Sequence, residues 1–406
     1  MDNYPASTEP TLRHIFHVLP TFAVGGVQNR MINVINALRR EFRHTIAVLD
    51  GNSSAAPRLH SESDVVLRHI DSKKTRLISV ANVRLARQVL HKLKPDLMLT
   101  YNWGSVEWTL SNVAPRVCPH IHLESGFGFD ESPDNQHRRR VLARRILLKR
   151  CDQVIVPSLT LYKIATQTWR LSAARVTHIP NGIDLDRFRP PTMSLGQDTN
   201  APIIGTVAAL RPEKNLSCLI QAFSLLPSQQ NARLMIVGDG PELLHLRETT
   251  WALGVADRVS FIGRVDDPSR LLSQFDIFAL SSKTEQMPNS VLEAMAMGLP
   301  VVSTDVGDVK HILAAENAPF VVPIGDSKSF AEAISRLLSD KVVAQSIGRA
   351  NRMRAQNEFD IKTMIARYES LFFEYTSPIA DSLRLKGDET AAKSPSVSRL
   401  REWHLR

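Results

Sequence analysis

Cysteine is scarce in this chain: three thiols, Cys118, Cys151 and Cys218, lie far apart among 406 residues. That spacing supports neither a disulfide framework nor a thiolate metal site, so idle thiols in a reducing compartment are expected. Long apolar runs are missing too. No stretch of about 18 apolar residues occurs, which leaves no candidate for a bilayer-spanning helix. The first twenty residues carry acids early and only a short apolar run, so a secretory leader is not expected. The motifs GxxxxGK[ST], HExxH and GxSxG are all absent, and with them the sequence support for P-loop, zincin or esterase chemistry. Aromatics make up only 6% of the chain. None interleaves with its densest basic run, which argues against a nucleic-acid partner. These absences lead to the expectation of a cytoplasmic protein, with a peripheral place on the inner face of the plasma membrane left open.

What is present is a globular composition, 43% hydrophobic and 22% charged, with a formal net charge of +9. The positive balance favours an anionic partner such as a phosphate-bearing substrate or an anionic membrane surface. Strand-length apolar runs alternate with helical-period segments almost throughout. The strands expected are His14–Leu19, Thr45–Leu49, Asp96–Thr100, His120–Leu123, Gln153–Pro157 and Val176–Pro180, then Ile203–Ala208, Leu234–Gly238, Val259–Gly263, Ile277–Ser281, Pro300–Thr304 and Phe320–Pro323. Expected helices include Gln28–Arg40, Leu77–Leu93, His137–Arg150 and Leu159–Trp169. Alternation with Val/Ile/Leu on consecutive positions predicts α/β architecture with parallel sheets buried on both faces. The polar, Pro-containing stretch Arg189–Ala201 reads as a linker. It divides the chain into two Rossmann-like doubly wound domains, about 1–190 and 200–360, facing a central cleft. Ligands of such sheets bind beyond the carboxyl ends of the strands. Residues 377–406 read as a flexible tail.

The segment Leu280–Asp308, LSSKTEQMPNSVLEAMAMGLPVVSTDVGD, carries the sharpest chemical signal. Pro288-Asn289-Ser290 predicts a helix start with Asn289 as N-cap, presenting the amides of Ser290, Val291 and Leu292 to a diphosphate. Glu285 and Glu293 flank that start with seven residues between them. A carboxylate beside phosphate is unfavourable, so each is expected to accept hydroxyl hydrogen bonds to either side of it, one from a sugar and one from a ribose. A solvent-facing Glu293 and an idle loop Glu285 are the bland reading of the same residues. Lys214 and Arg211, in Arg211-Pro212-Glu213-Lys214-Asn215, are expected to stabilise the charge that builds on a departing diphosphate.

At this point the sequence resembles the retaining glycosyltransferases of family 4, the glycogen-synthase-like enzymes of GT-B fold. The resemblance rests on the Glu285…Glu293 spacing followed by Ala294-Met295-Ala296-Met297-Gly298-Leu299-Pro300-Val301. Ile179-Pro180-Asn181-Gly182-Ile183-Asp184 with Phe188, the Arg211–Asn215 loop, and Val237-Gly238-Asp239-Gly240-Pro241 add to it. So does Gly25-Gly26-Val27 at the start of the first helix. It runs from about residue 14 to 375. It implies a second domain that binds a nucleotide-sugar, UDP- favoured over GDP-, and a first domain that takes the acceptor. It implies transfer with retention to a polysaccharide, lipopolysaccharide or lipid-linked glycan, without metal; the nucleotide-sugar is a substrate and no cofactor is expected. Gly25, Gly26, Gly238, Arg211, Lys214, Glu285, Asn289, Ser290 and Glu293 would bind the donor. Glu285, Lys214 and a histidine at the end of the strand His120–Leu123 would act on the transferring sugar. His122 is the candidate for that histidine, and another register puts Ser125 there. The helix 361–375 would cross back to the first domain. The family's arginine in a V-x-R-L pattern is replaced here by Ala209, and Arg211 would take over. An epimerase of the same fold, or a non-catalytic nucleotide-sugar-binding subunit, are the competing readings.

Two signals compete locally. Asp184-Leu185-Asp186 is a DxD string of the kind that holds a metal in other sugar transferases, although its place before the linker argues against that role. His137–Arg150 carries seven Lys and Arg around Val141, Leu142, Ile146, Leu147 and Leu148. It reads either as an ordinary solvated helix or as an amphipathic one lying on anionic lipid through Arg138, Arg139, Arg140, Arg144 and Arg145.

Overall fold

A computed structural model describes residues 12–71, 79–127, 131–133, 135–190 and 201–377. The expected tail beyond Ser377, most of the expected linker, and Leu77 at the expected start of the second helix lie outside the described residues. Two wholly parallel sheets form. The first contains β1 (Arg13–Leu19), β2 (Phe42–Val48), β3 (Val65–His69), β4 (Leu97–Tyr101), β5 (His120–Leu123), β6 (Gln153–Val156) and β7 (Val176–His178). Their spatial order is β3-β2-β1-β4-β5-β6-β7. The second contains β8 (Ile203–Val207), β9 (Arg233–Val237), β10 (Val259–Gly263), β11 (Ile277–Leu280), β12 (Val301–Thr304) and β13 (Val321–Val322), ordered β10-β9-β8-β11-β12-β13. Both orders reverse direction after the first strand, the doubly wound pattern that opens a crevice at the strand ends.

The strands are buried on both faces because helices cover both. In β1, Ile15 and Leu19 pack into one cluster with Phe42, Leu99 and Tyr101. Phe16 and Val18 pack into another, with Met98 and Trp108. β3 was not expected from sequence. It is an edge strand whose Val66 and Leu67 remain 45% and 39% exposed, so it lacks the buried run that marks its neighbours.

The last described helix, Ile361–Thr376, packs Met364, Tyr368, Phe372 and Tyr375 into the first-sheet core beside Ile15 and Phe42. Where it enters, Ile183 N donates to Phe359 O and Ile361 N to Ile183 O, at 2.8 and 3.0 Å. A β-carbon at Gly182 would sit 2.6 Å from Ile361 Cα. Glycine is therefore required there for the close crossing of two backbones.

Candidate active site

The two domains meet through the loops and helix starts that follow the carboxyl ends of their strands. After β11, the loop 281–288 leads into the helix Asn289–Ala296. Pro288, not Asn289, is the N-cap, and Asn289 is the first helical residue. Pro288 O accepts from Val291 N and Leu292 N, so those two amides are spent within the turn. The expected trio of free amides is thereby corrected: the donors outside the helical ladder are those of Asn289 and Ser290. Both residues are partly exposed on the cleft side. A β-carbon at Gly26 would stand 3.3 Å from Asn289 Nδ2, so the Gly25-Gly26 turn lies directly against this helix start.

Lys214 Nζ donates to Glu285 Oε1 at 2.6 Å, and Ser282 Oγ donates to the same oxygen at 2.8 Å. The two loops are stapled beneath that pair: Ser281 Oγ donates to Lys214 O and Lys283 N to Glu213 O, at 2.9 and 2.8 Å. Arg211 is the exposed end of the same loop, 63% exposed and 4.0 Å from Glu213. Glu293 is half-buried, and no hydrogen bond or ion pair to its carboxyl is found among the described residues. Burial pushes that carboxyl up to about 7, against a downward pull from Arg187 and with a further push from Asp267. An unpartnered, desolvated acceptor at a cleft wall suits a diol that a ligand would bring.

Gly238 has φ +143, and a β-carbon on it would fall 1.8 Å from Ala208 O. Its smallness first serves the close packing of the turn after β9 on the end of β8. His122 does not reach the cleft. It is wholly buried, with Nδ1 2.8 Å from Thr100 Oγ1 and Nε2 3.7 Å from Glu124 Oε2. Strand alternation places His120, His122 and Glu124 on a helix-covered face of the sheet. The residue at the cleft end of β5 is Ser125, whose Oγ accepts from Arg30 Nη2 at 2.5 Å.

The DxD string has local contacts. Asp184 Oδ1 accepts from the amides of Asp186 and Arg187, and Asp186 faces Lys362 at 3.5 Å. The basic helix is observed as Arg138–Leu147 with a 3-10 turn to Arg150. Arg144, expected at a lipid surface, is instead fully buried between Glu124 and Glu131, at 3.4 and 3.2 Å. The rings of Trp103, Phe127 and Trp169 surround its guanidinium at 5.0–5.5 Å. Arg140 also pairs with Glu131, and Arg145 donates to Thr168 O. Arg138 and Arg139 are exposed, with Leu142 and Ile146 at 56% and 50% beside them.

Sequence reasoning missed a second group of residues that join the domains here. Asn181 Nδ2 donates to Asn289 Oδ1 at 2.8 Å and to Met287 O at 3.0 Å, while Asn181 Oδ1 accepts from Arg30 Nη1 at 2.9 Å. Arg30, on the helix Gly26–Ala37, is buried with these neutral partners. Only the spacing of Arg30 within an apolar helical face could have flagged it.

Comparison with known proteins bears on the family and the two-sheet framework. Residues 24–187 match the family model Glycosyltransferase Family 4, and residues 193–355 match Glycosyl transferases group 1. N-acetyl-alpha-D-glucosaminyl L-malate synthase of Bacillus anthracis is 27% identical over 44% of this chain and 47% of its own length. The Escherichia coli UDP-Gal:alpha-D-GlcNAc-diphosphoundecaprenol alpha-1,3-galactosyltransferase is 24% identical over 71% of this chain and 77% of its own. The first of these matches spans about half the length of the relative. Among solved structures, Anabaena HepE in complex with UDP superposes with TM-score 0.76 at 20% identity, covering 89% of this chain and 99% of that one. With one family model on each half and a GT-B framework over both sheets, the chain belongs to the family-4-like glycosyltransferases.

Proposed function

We propose that this protein transfers a hexose from a nucleotide-sugar, UDP- rather than GDP-, to a glycan or lipid-linked acceptor, with retention and without a metal ion. The observation that carries the reading is the Lys214–Glu285 pair standing at one side of a helix start whose other side holds the unpartnered Glu293. The diphosphate would lie over the Asn289 and Ser290 amides, with Lys214 and Arg211 meeting the charge that grows on the leaving β-phosphate. Preorganised donors of this kind need no reorganisation at the moment of bond cleavage. Glu285 would accept from the sugar hydroxyls and Glu293 from the ribose. Ser125, held by Arg30, replaces His122 as the first-domain group nearest the sugar. The UDP assignment draws on the galactosyltransferase relative and the UDP-bound neighbour.

The exposed edge Arg138, Arg139, Leu142 and Ile146 supports a second element of the reading, reversible contact with an anionic membrane where a lipid-linked acceptor resides. Hydrolysis of UDP-glucose, UDP-galactose, UDP-N-acetylglucosamine and GDP-mannose, run with and without EDTA, tests the donor and the metal together. Turnover of a UDP-sugar that survives the chelator is expected. Turnover that EDTA abolishes and manganese restores contradicts the metal-free reading, and a preference for GDP-mannose contradicts the UDP assignment.

A further inference from the structure

The residues on either side of Glu285 in space are held by the opposite domain. Gln286 Oε1 accepts from Ser158 Oγ at 3.4 Å, and a β-carbon at Gly126 would touch Gln286 Cγ at 3.2 Å. More telling is Asp308, which follows β12. It is 2% exposed, and its two carboxylate oxygens accept from the backbone amides of Leu159 and Thr160 in the first domain, the latter at 2.9 Å. Ser158, which precedes them, accepts from Leu161 N through the same Oγ that donates to Gln286. Thus both otherwise unpaired amides of that turn are satisfied by a carboxylate from the other domain.

Asp308 is also tied to the candidate active-site loop. Its amide donates to Gln286 O at 2.9 Å. The preceding Gly307, at φ +52, would place a β-carbon 2.4 Å from Glu285 O and 2.7 Å from Gln286 O. The backbone that presents Glu285 therefore rests on the Gly307-Asp308 turn, and that turn is pinned by two hydrogen bonds from the first domain. A carboxylate buried by another domain and held by its amides keeps those partners only while the two domains stay together. Parting the domains strips both donors from Asp308 at once and hands its carboxylate and the two amides to water.

We infer that Asp308 is a positioning residue that couples closure of the two domains to the placement of Glu285. This rests on the reading of Glu285 as the carboxylate facing the transferring sugar. It acts through the loop backbone and touches no donor atom itself, so it should govern turnover and leave nucleotide affinity alone.

The test uses the full chain with two variants that break the contact from opposite sides. Asp308→Ala removes the acceptor. Leu159→Pro removes one donor at a helix start where proline is tolerated, since Ser158 before it already has φ −127 and ψ 150. Spin labels on cysteines introduced at the exposed Arg84 and Lys341 report the inter-domain distance with UDP bound. Hydrolysis of whichever panel sugar-nucleotide the wild type turns over reports the chemistry. Both variants should lengthen and broaden the distance distribution and lower kcat by about tenfold or more, the loss expected for a hydrogen-bonded charge, with the Kd for UDP within about twofold of wild type. Unchanged distances and kcat in both variants overturn the proposal, as does a UDP affinity that falls in step with kcat. Glu285→Gln separates the two claims. It should lose turnover with the distance distribution intact; if its turnover survives, the active-site reading fails while the distance readout still judges the Asp308 contact.

Discussion

Lys214 and Glu285, 71 positions apart, meet at 2.6 Å, so the cation and the carboxylate assigned to the same reaction hold each other in place before any donor arrives. Ser282 on the same Glu285 oxygen fixes the carboxylate plane further. Lys214→Ala removes the charge aimed at the leaving phosphate and frees Glu285 to rotate. Loss of one preorganised donor of this kind costs about 10²–10³ in kcat. Steady-state hydrolysis with a UDP-sugar checks it; a fall confined to KM would make Lys214 a ground-state binder only.

Glu293 has the reverse problem, a carboxyl with nothing to hold it. Its folded-state value of about 7 stands above its ordinary 4.5. The folded protein thus binds more protons than the unfolded chain between these values, and stability falls as pH rises from about 4.5 to 7. A shift of that size is about 3 kcal/mol, reduced to about 2 by the edge Glu293 shows to solvent. Glu293→Gln should therefore raise the thermal midpoint at pH 8 and leave it unchanged at pH 4.5. Equal midpoints at pH 8 would contradict the desolvated environment.

The first domain carries an opposite dependence. His17, His44 and His120 are buried and held below their ordinary 6.5, His44 at about 3, chiefly by desolvation. The unfolded chain takes up protons below pH 6.5 that the folded core refuses, so stability is lost as pH falls from 6.5 toward 3. At pH 5 the loss from His44 is about 2 kcal/mol, and His17 and His120 add to it in the same direction. Hydrogen exchange in β1 and β2 should accelerate between pH 7 and 5 beyond its intrinsic trend. His44→Asn, which keeps a partner for His17 Nε2 at its 2.9 Å contact, should make that dependence shallower.

On the basic helix two arginine substitutions should behave differently. Arg138→Gln with Arg139→Gln should weaken co-sedimentation with anionic liposomes and leave the fold intact, each charge contributing about 1 kcal/mol near the surface. Arg144→Gln takes the arginine from the buried Glu124 and leaves Glu131 to Arg140 alone, and should destabilise by about 3–5 kcal/mol. Equal binding of wild type to neutral and anionic vesicles would remove the membrane from the account.

The two sheets were legible, and the residues proposed for the donor could be picked out, because their signals are local. Buried parallel strands announce themselves as consecutive apolar residues, and Glu285, Lys214 and Glu293 sit in contiguous motifs. What escaped was long-range. The aromatic box that buries Arg144 draws on Trp103, Phe127 and Trp169, none adjacent in sequence, so a run of arginines looked uniformly solvated. His122 was the candidate because the family resemblance implies a histidine at this strand end, with Ser125 as the other register. The helices that cover its face of the sheet leave no trace beside it in the chain. Asp308 offered no signal at all, since its partners are backbone amides 149 and 148 positions away.

The division of labour between the two glutamates is the centre of this account, and calorimetry with UDP alone addresses it without knowledge of the acceptor. Glu293→Gln should weaken UDP binding by the roughly 1.5–3 kcal/mol of a hydrogen bond to a charged group, tenfold or more in Kd. Glu285→Gln should leave that Kd within about twofold, because its sugar is missing from UDP and its effect belongs to kcat. Equal weakening by both substitutions, or none by either, would contradict the assignment of Glu285 to the sugar and Glu293 to the ribose.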